Sequence, residues 1–282
     1  MASAYSSYEF MRVTFPSPFV AHLEINRPAK LNAFSRAVWL EFGRVFRQLS
    51  DDSDVRVVVL SGAGDRAFTA GLDVSAASSE GPLSGEGGDL DPARKAKALR
   101  GHIEEFQTCI SEMEKCEKPV ICVLHAVSLG LAIDISCCAD VRLAASNTRF
   151  AVKEVDIGLA ADIGTLARLP KIVGSTSWVK DVCMSARDFD AREALQVGFV
   201  SQVHEDKERT VQAALEMAGR LAEKSPVAVQ GTKELLNYGR ENGTAAALRY
   251  TTIWNSVALQ AGDVPSALMS VFSKKKPTFE KL

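Results

Sequence analysis

The chain carries almost no surplus of either charge. Its 33 Lys and Arg face 35 Asp and Glu, a formal net charge of −2. That balance argues against the broad basic field with which proteins neutralise nucleic-acid phosphates. The six cysteines, at 109, 116, 122, 137, 138 and 183, contain no CxxC pair. In a chain of 282 residues they make no disulfide framework, and buried thiols in a reducing compartment are expected. Histidine is scarce. The four, His22, His102, His125 and His204, are too dispersed for metal-ligand spacing, so no metal site is expected. His125 ends a predicted strand and reads as a hydrogen-bonding structural residue. There is no GxGxxG after a strand, no GxxxxGK[ST] and no GxSxG, so nucleotide-phosphate loops and the hydrolase elbow are absent. No apolar run approaches the roughly 18 residues needed to span a bilayer. Residues 119–139 come nearest, and His125, Ser128, Asp134 and Ser136 interrupt them. Residues 1–10 have no basic segment followed by an apolar one, so no secretory signal is expected.

What is present is ordinary globular composition, 46% hydrophobic and 24% charged, without repeats or a linker. Residues 19–26 alternate apolar and polar as a half-buried strand does. Ser35 is placed to cap a helix to about residue 49, with Val38, Phe42, Val45, Phe46 and Leu49 on one face. Residues 55–60 and 120–124 read as buried strands, and 125–130 as a turn. Residues 131–138 form a short apolar helix, and 139–145 and 149–152 form strands. Residues 75–92, rich in Ser, Gly and acids, read as a surface loop, either a passive insertion or a lid. A long helix follows over 93–117. From 175 the pattern is helical, over 175–183, 190–197, 206–223, 227–240, 245–261 and 264–272. An α/β core over 1–200 and a helical region over 201–282 are therefore expected.

Three carboxylates lie in apolar surroundings: Asp134 in LGLAIDISCCA, Glu154 in AVKEVDIGL and Asp162 in GLAADIGTLARLP. Burying a charged carboxylate costs several kcal/mol, so each must be paired, protonated or functional. A buried set can split its pKa values into an acid and a base. A structural role fits each equally well, and Asp162 is placed to cap a helix beginning near Ile163. Two strand-to-helix turns, 70–73 and 130–132, have backbone N–H groups able to hold an oxyanion.

Four segments together carry a resemblance: HLEINRPAKLNAFS, RVVVLSGAGDRAFTAGLDV, KPVICVLHAVSLGLAIDISCCADVRLAA and FAVKEVDIGLAADIGTLARLP. Over roughly residues 10–270 the chain resembles the enoyl-CoA hydratase/isomerase (crotonase) superfamily. Within it, the chain is most similar to the Δ3,5-Δ2,4-dienoyl-CoA isomerases, which share the acid at Asp162 beside those at Asp134 and Glu154. The resemblance implies a crotonase-like spiral of ββα units with a helical C-terminal trimerisation region, assembled as a trimer or a dimer of trimers. It implies conversion of 3,5-dienoyl-CoA to 2,4-dienoyl-CoA through a dienolate. The backbone N–H groups of Leu72 and Leu131 would hold the thioester oxygen. Asp162 would take the C2 proton, Glu154 would deliver one at C6, and Asp134 would polarise Glu154 or hold a water. CoA, part of the substrate, would lie against Arg27, Lys30, Ala70 and Gly71, and no cofactor is required. One departure stands out: HAVSLGLA replaces a glycine-rich run, with Ala126, Val127, Leu131 and Ala132 in place of glycines. Leu131 and Ala132 would then narrow the acyl tunnel. Two other readings remain open, a 2-enoyl-CoA hydratase using Asp134 and Glu154 on water, and a non-catalytic scaffold or RNA-binding protein. The terminal Glu280-Lys281-Leu282 resembles a peroxisomal address, so the peroxisome is expected ahead of the mitochondrion or cytosol.

Overall fold

A computed structural model of the protein describes residues 2–79, 90–273 and 275–282. The strands are β1 (Met11–Ser17), β2 (Val20–Ile25), β3 (Val57–Gly62), β4 (Ala67–Thr69), β5 (Val120–Leu124), β6 (Val127–Leu129), β7 (Val141–Ala145), β8 (Arg149–Ala151), β9 (Phe189–Asp190) and β10 (Gln202–His204). The helices are α1 (Arg36–Asp51), α2 (Val74–Ser79), α3 (Pro92–Lys115), α4 (Leu131–Cys137), α5 (Thr165–Ile172), α6 (Thr176–Ser185), α7 (Ala191–Gln196), α8 (Lys207–Ala222), α9 (Pro226–Glu241), α10 (Thr244–Ala258) and α11 (Asp263–Ser273).

Six strands form one sheet in the order β1-β2-β3-β5-β7-β10, and four form a second in the order β4-β6-β8-β9. All the pairings in the first sheet are parallel except β1 with β2. In β3 and β5 every residue is buried, as expected of parallel strands covered on both faces. On one face Val57, Val59, Ile121, Val123 and Leu143 meet Ala214, Ala218 and Ala222, a small-residue stripe at four-residue spacing along α8. On the other, Val38, Phe42, Val45, Phe46 and Leu49 of α1 and Phe106, Ile110 and Met113 of α3 close the core. A Cβ at Gly43 would lie 3.1 Å from the Cys109 Cα, so the absent side chain lets α1 and α3 cross closely.

Three times the chain lays a strand in the first sheet, a short strand in the second, and then a helix: β3-β4-α2, β5-β6-α4 and β7-β8-α5. This is the expected spiral of ββα units. Of these short strands β8 was legible, and β4 and β6 were not. β6 lies within the segment read as a turn, and it exists because it pairs with β4 on one side and β8 on the other, while β4 exists because it pairs with β6. The boundary expected at residue 200 falls inside the sheet, because β10 pairs with β7 and α8 packs on β3 and β5. After β10, α8 and α9 still carry buried residues, whereas α10 and α11 carry none. The expected loop over 75–92 is partly helical, since α2 runs to Ser79, and Asp91 accepts from the N–H groups of Ala93 and Arg94 to cap α3. The lid reading falls on residues 80–89, outside the described residues. Ser35 occupies the N-cap of α1 but makes no side-chain capping bond. All six cysteines are free and buried. No helix among the described residues is long and apolar enough to cross a membrane.

Candidate active site

The turns after β4 and β6 meet. Gly71 has φ +95°, a region that favours glycine. A Cβ there would lie 3.0 Å from the Leu129 carbonyl oxygen and 3.5 Å from the Leu131 nitrogen. The turn that presents Leu72 is thus pressed against the one that presents Leu131. Four neighbouring N–H groups are spent: Gly71 donates to Thr69 Oγ1, Asp73 to the Phe34 carbonyl, Gly130 to the Ala151 carbonyl and Ile133 to the Gly130 carbonyl. The Leu72 and Leu131 N–H groups donate to no backbone acceptor among the described residues. Two unspent donors side by side are what an oxyanion needs.

They border a cavity of about 270 Å³. Of the residues singled out from the sequence, it brings together Ala70, Gly71, Leu72, Leu131, Asp134, Glu154 and Asp162. Arg27 and Lys30 lie outside it. Arg27 Nη1 donates to Asp73 at 2.6 Å and to the Ala33 carbonyl at 3.0 Å, and Lys30 stands exposed on the 3-10 turn Pro28–Lys30. That turn is tied to the site nonetheless. Ala70 donates to the Leu31 carbonyl, and the buried Asn32 side chain donates to the carbonyls of Ala63 and Ala67. Of the residues replacing glycines, Leu131 lines the cavity. Ala132 is buried in the core and does not narrow it, a correction to the expectation. Ala126 takes φ +46°, a conformation usually left to glycine.

The carboxylates differ in setting. Asp134 is 1% exposed on α4. Its Oδ1 accepts from the Thr165 N–H at 2.7 Å and the Thr165 Oγ1 at 2.8 Å. Burial raises its carboxyl while the two Thr165 bonds oppose the rise. Glu154 follows β8, and its Oε1 lies 3.4 Å from where a Gly130 Cβ would stand. Its Oε2 is buried and has no hydrogen-bond partner. Burial first, and the Asp134 charge second, push its carboxyl up to about 7. Asp162 stands exposed at the rim. The surrounding wall raises its carboxyl, and His102 on α3 opposes the rise. Its reading as a helix cap is corrected, because α5 starts at Thr165 with Gly164 at the N-cap. His125 is fully buried against the Gly64 carbonyl, outside the cavity lining.

An orphaned carboxylate oxygen has a cost. Glu154 favours the folded state fully below its ordinary value near 4.5, and that contribution is lost as pH rises through about 7. Glu154→Gln is expected to raise Tm relative to wild type above pH 7, with the difference shrinking toward pH 4. Thermal melts across that range check it.

Sequence reasoning missed the far wall. Trp39 of α1 stacks on Phe106 of α3 at 4.0 Å between ring centroids, and His102 meets Trp39 edge-on at 5.5 Å. Leu99, His102, Ile103 and Phe106 share a helical stripe, the signal that could have revealed it.

The chain matches the family model described as Enoyl-CoA hydratase/isomerase over residues 17–281. It is 42% identical to the mitochondrial Delta(3,5)-Delta(2,4)-dienoyl-CoA isomerase of Mus musculus over 279 residues, 98% of this chain and 84% of that one. It is 37% identical to the peroxisomal Delta(3,5)-Delta(2,4)-dienoyl-CoA isomerase of Arabidopsis thaliana, covering 99% of each. A crystal structure described as a putative enoyl-CoA hydratase from Streptomyces coelicolor A3(2) superposes with a TM-score of 0.85 at 28% identity, covering 98% of this chain and 95% of that one. The chain belongs to the enoyl-CoA hydratase/isomerase family.

Proposed function

We infer that this chain is an isomerase that converts 3,5-dienoyl-CoA to 2,4-dienoyl-CoA in the oxidation of unsaturated fatty acids. The observation that carries the reading is the meeting of two unspent backbone donors with Glu154 and Asp162 in one largely apolar cavity. Removing a C2 proton puts negative charge on the thioester oxygen, which the Leu72 and Leu131 N–H groups would stabilise. The proton returned at C6 lies four carbons away, so two carboxyl groups suit the reaction better than one. Glu154 abuts Gly130, directly before the Leu131 donor, whereas the Asp162 carbonyl is held by Gln107 of α3. Geometry takes precedence over pKa order in assigning such roles. It favours Glu154 at C2 and Asp162 at C6, the reverse of the order the resemblance implied. Asp134 would raise Glu154 by its charge. The transfer involves no net oxidation, so the proposal needs no metal or redox cofactor.

Either order of transfer uses the pair with one proton between them. The free-enzyme profile of kcat/KM is therefore expected to fall above about pH 7, where Glu154 loses its proton. It falls again as pH drops through the raised value of Asp162. A pH series with saturating and limiting substrate measures both limbs.

The hydratase alternative is tested by paired ultraviolet assays. Growth of 2,4-dienoyl thioester absorbance from a 3,5-dienoyl-CoA, without hydration of a 2-enoyl-CoA, supports the isomerase. Hydration alone overturns it. Silence in both would leave the scaffold reading. The near-neutral charge supports an acyl-CoA partner in place of nucleic acid. A homo-trimer or dimer of trimers is supported by the exposed Leu248, Ile253, Val257, Met269, Val271 and Phe272 on α10 and α11, and sedimentation velocity tests it. A peroxisomal location is supported by the Arabidopsis relative, while the Mus musculus relative is mitochondrial. Imaging the tagged chain decides between them.

A further inference from the structure

A helix whose N-cap is glycine has no side chain of its own with which to satisfy its first N–H groups. In α5, Gly164 holds that position, and the Thr165 N–H donates instead to Asp134, on a different helix. The fully buried Thr165 hydroxyl donates to the same Oδ1. On the other side of Asp162, Gln107 Nε2 donates to the Asp162 carbonyl at 2.5 Å. The stretch carrying Asp162 is therefore held between two pins, one on α4 and one on α3. A local Asp or Ser cap would have satisfied α5 equally well. The imported cap also fixes the distance from α5 to α4, and α4 begins at Leu131, beside the unspent donors.

We propose that Thr165 and Gln107 are positioning residues for the proton transfer. Thr165 ties the start of α5 to the Asp134 carboxylate, and Gln107 ties the Asp162 peptide to α3, so that the Asp162 carboxyl is held against the acyl chain. The proposal rests on the reading that Asp162 transfers a proton. Neither pin touches the reacting atoms. Misplacing a reacting group by a fraction of an ångström is enough to slow a step without weakening substrate binding.

Thr165→Val removes the hydroxyl at nearly constant volume and keeps the N–H. Thr165→Ser keeps both donors. Gln107→Leu removes the other pin from a side chain that is not buried. Thr165→Val and Gln107→Leu are each expected to lower kcat by about tenfold with KM within twofold, while Thr165→Ser recovers most of the loss. In an Asp162→Asn background, Gln107→Leu should add little further loss. The titration gives a second readout. The charged and titratable groups facing the Asp134–Glu154 pair are Asp162, Arg168 of α5, Cys137 and Cys138 at the end of α4 and Cys183 of α6. Losing the Thr165 hydroxyl bond favours the protonated Asp134, which weakens its charge on Glu154. The limb near pH 7 should then move down in Thr165→Val and stay in place in Gln107→Leu.

A merely structural role would lower Tm and leave kcat and the pH profile of the folded protein unchanged, and that result overturns the proposal. So does a Gln107→Leu loss as large in the Asp162→Asn background as in wild type. Should Thr165→Val not fold, the Gln107→Leu pair of measurements decides. Should the wild type turn over no dienoyl-CoA, the isomerase reading fails separately. The Glu154 carboxyl titration, followed by carbon-13 NMR in wild type and Thr165→Val, still tests the Thr165 pin, and an unmoved titration overturns it.

Discussion

Asp162→Asn is expected to abolish formation of 2,4-dienoyl-CoA, lowering kcat by about 10²–10⁴, while leaving the C2 proton of bound 3,5-dienoyl-CoA in exchange with solvent. Glu154→Gln is expected to lower kcat comparably and to lose the exchange as well. The asymmetry follows from placement. Glu154 lies against Gly130, one residue before the Leu131 donor, so it stands where the carbon next to a held thioester must be. Removing Asp162 leaves the two donors and Glu154 untouched. The dienolate still forms and can only take its proton back at C2. In deuterium oxide, mass spectrometry of recovered substrate reads this directly. Exchange retained in Glu154→Gln and lost in Asp162→Asn would restore the opposite order, with Asp162 at C2. Exchange and turnover retained in both variants would remove both carboxylates from the mechanism. Neither variant should unfold the protein. Asp162 is exposed, and Glu154 leaves a buried oxygen unpaired that an amide replaces without charge.

The parts of the fold that local pattern dictates were legible. The buried β-branched runs of β3 and β5, the apolar face of α1 and the long helix α3 all carry enough periodic residues to declare themselves. β4 and β6 do not. Each has three residues, and pairing with distant segments, not local propensity, makes them strands. The start of α5 was read near Ile163 with Asp162 as its cap, because the true cap comes from Asp134, thirty-one residues before Thr165. The same long-range contact explains the partial reading of the site. Apolar flanks mark a carboxylate as costly, which singled out Asp134, Glu154 and Asp162. They do not say which one is satisfied. Asp134 turns out to be doubly bonded by Thr165, whereas Glu154 retains an orphaned oxygen, and only the fold distinguishes them. Arg27 shows the converse. The resemblance placed it against CoA, and in the fold its Nη1 is taken by Asp73 and by the Ala33 carbonyl.

Backbone donors cannot be deleted by changing a side chain, so the two glycines that shape them are the handles on the proposed oxyanion site. Gly130→Ala is expected to lower kcat/KM by about 10²–10³, the scale of losing one oxyanion donor. Its φ of +55° is strained for any side chain, and the new Cβ would sit 3.4 Å from Glu154 Oε1. The substitution therefore strains the turn that feeds the Leu131 N–H and crowds Glu154, the proposed C2 base, at once. Gly71→Ala is expected to act on the other donor. At φ +95° its Cβ would stand 3.0 Å from the Leu129 carbonyl oxygen, prising the Leu72 turn away from the Leu131 turn. Leu131→Ala provides the contrast. It shortens a side chain that lines the cavity and leaves the N–H in place, so kcat should change by less than about tenfold while KM rises with lost acyl contact. Steady-state kinetics on the three variants, with melting curves to show that each is folded, separate the donors from the wall. A Leu131→Ala loss as large as that of Gly130→Ala would mean that the side chain, not the peptide, carries the effect, and the oxyanion site would have to be sought elsewhere in the cavity.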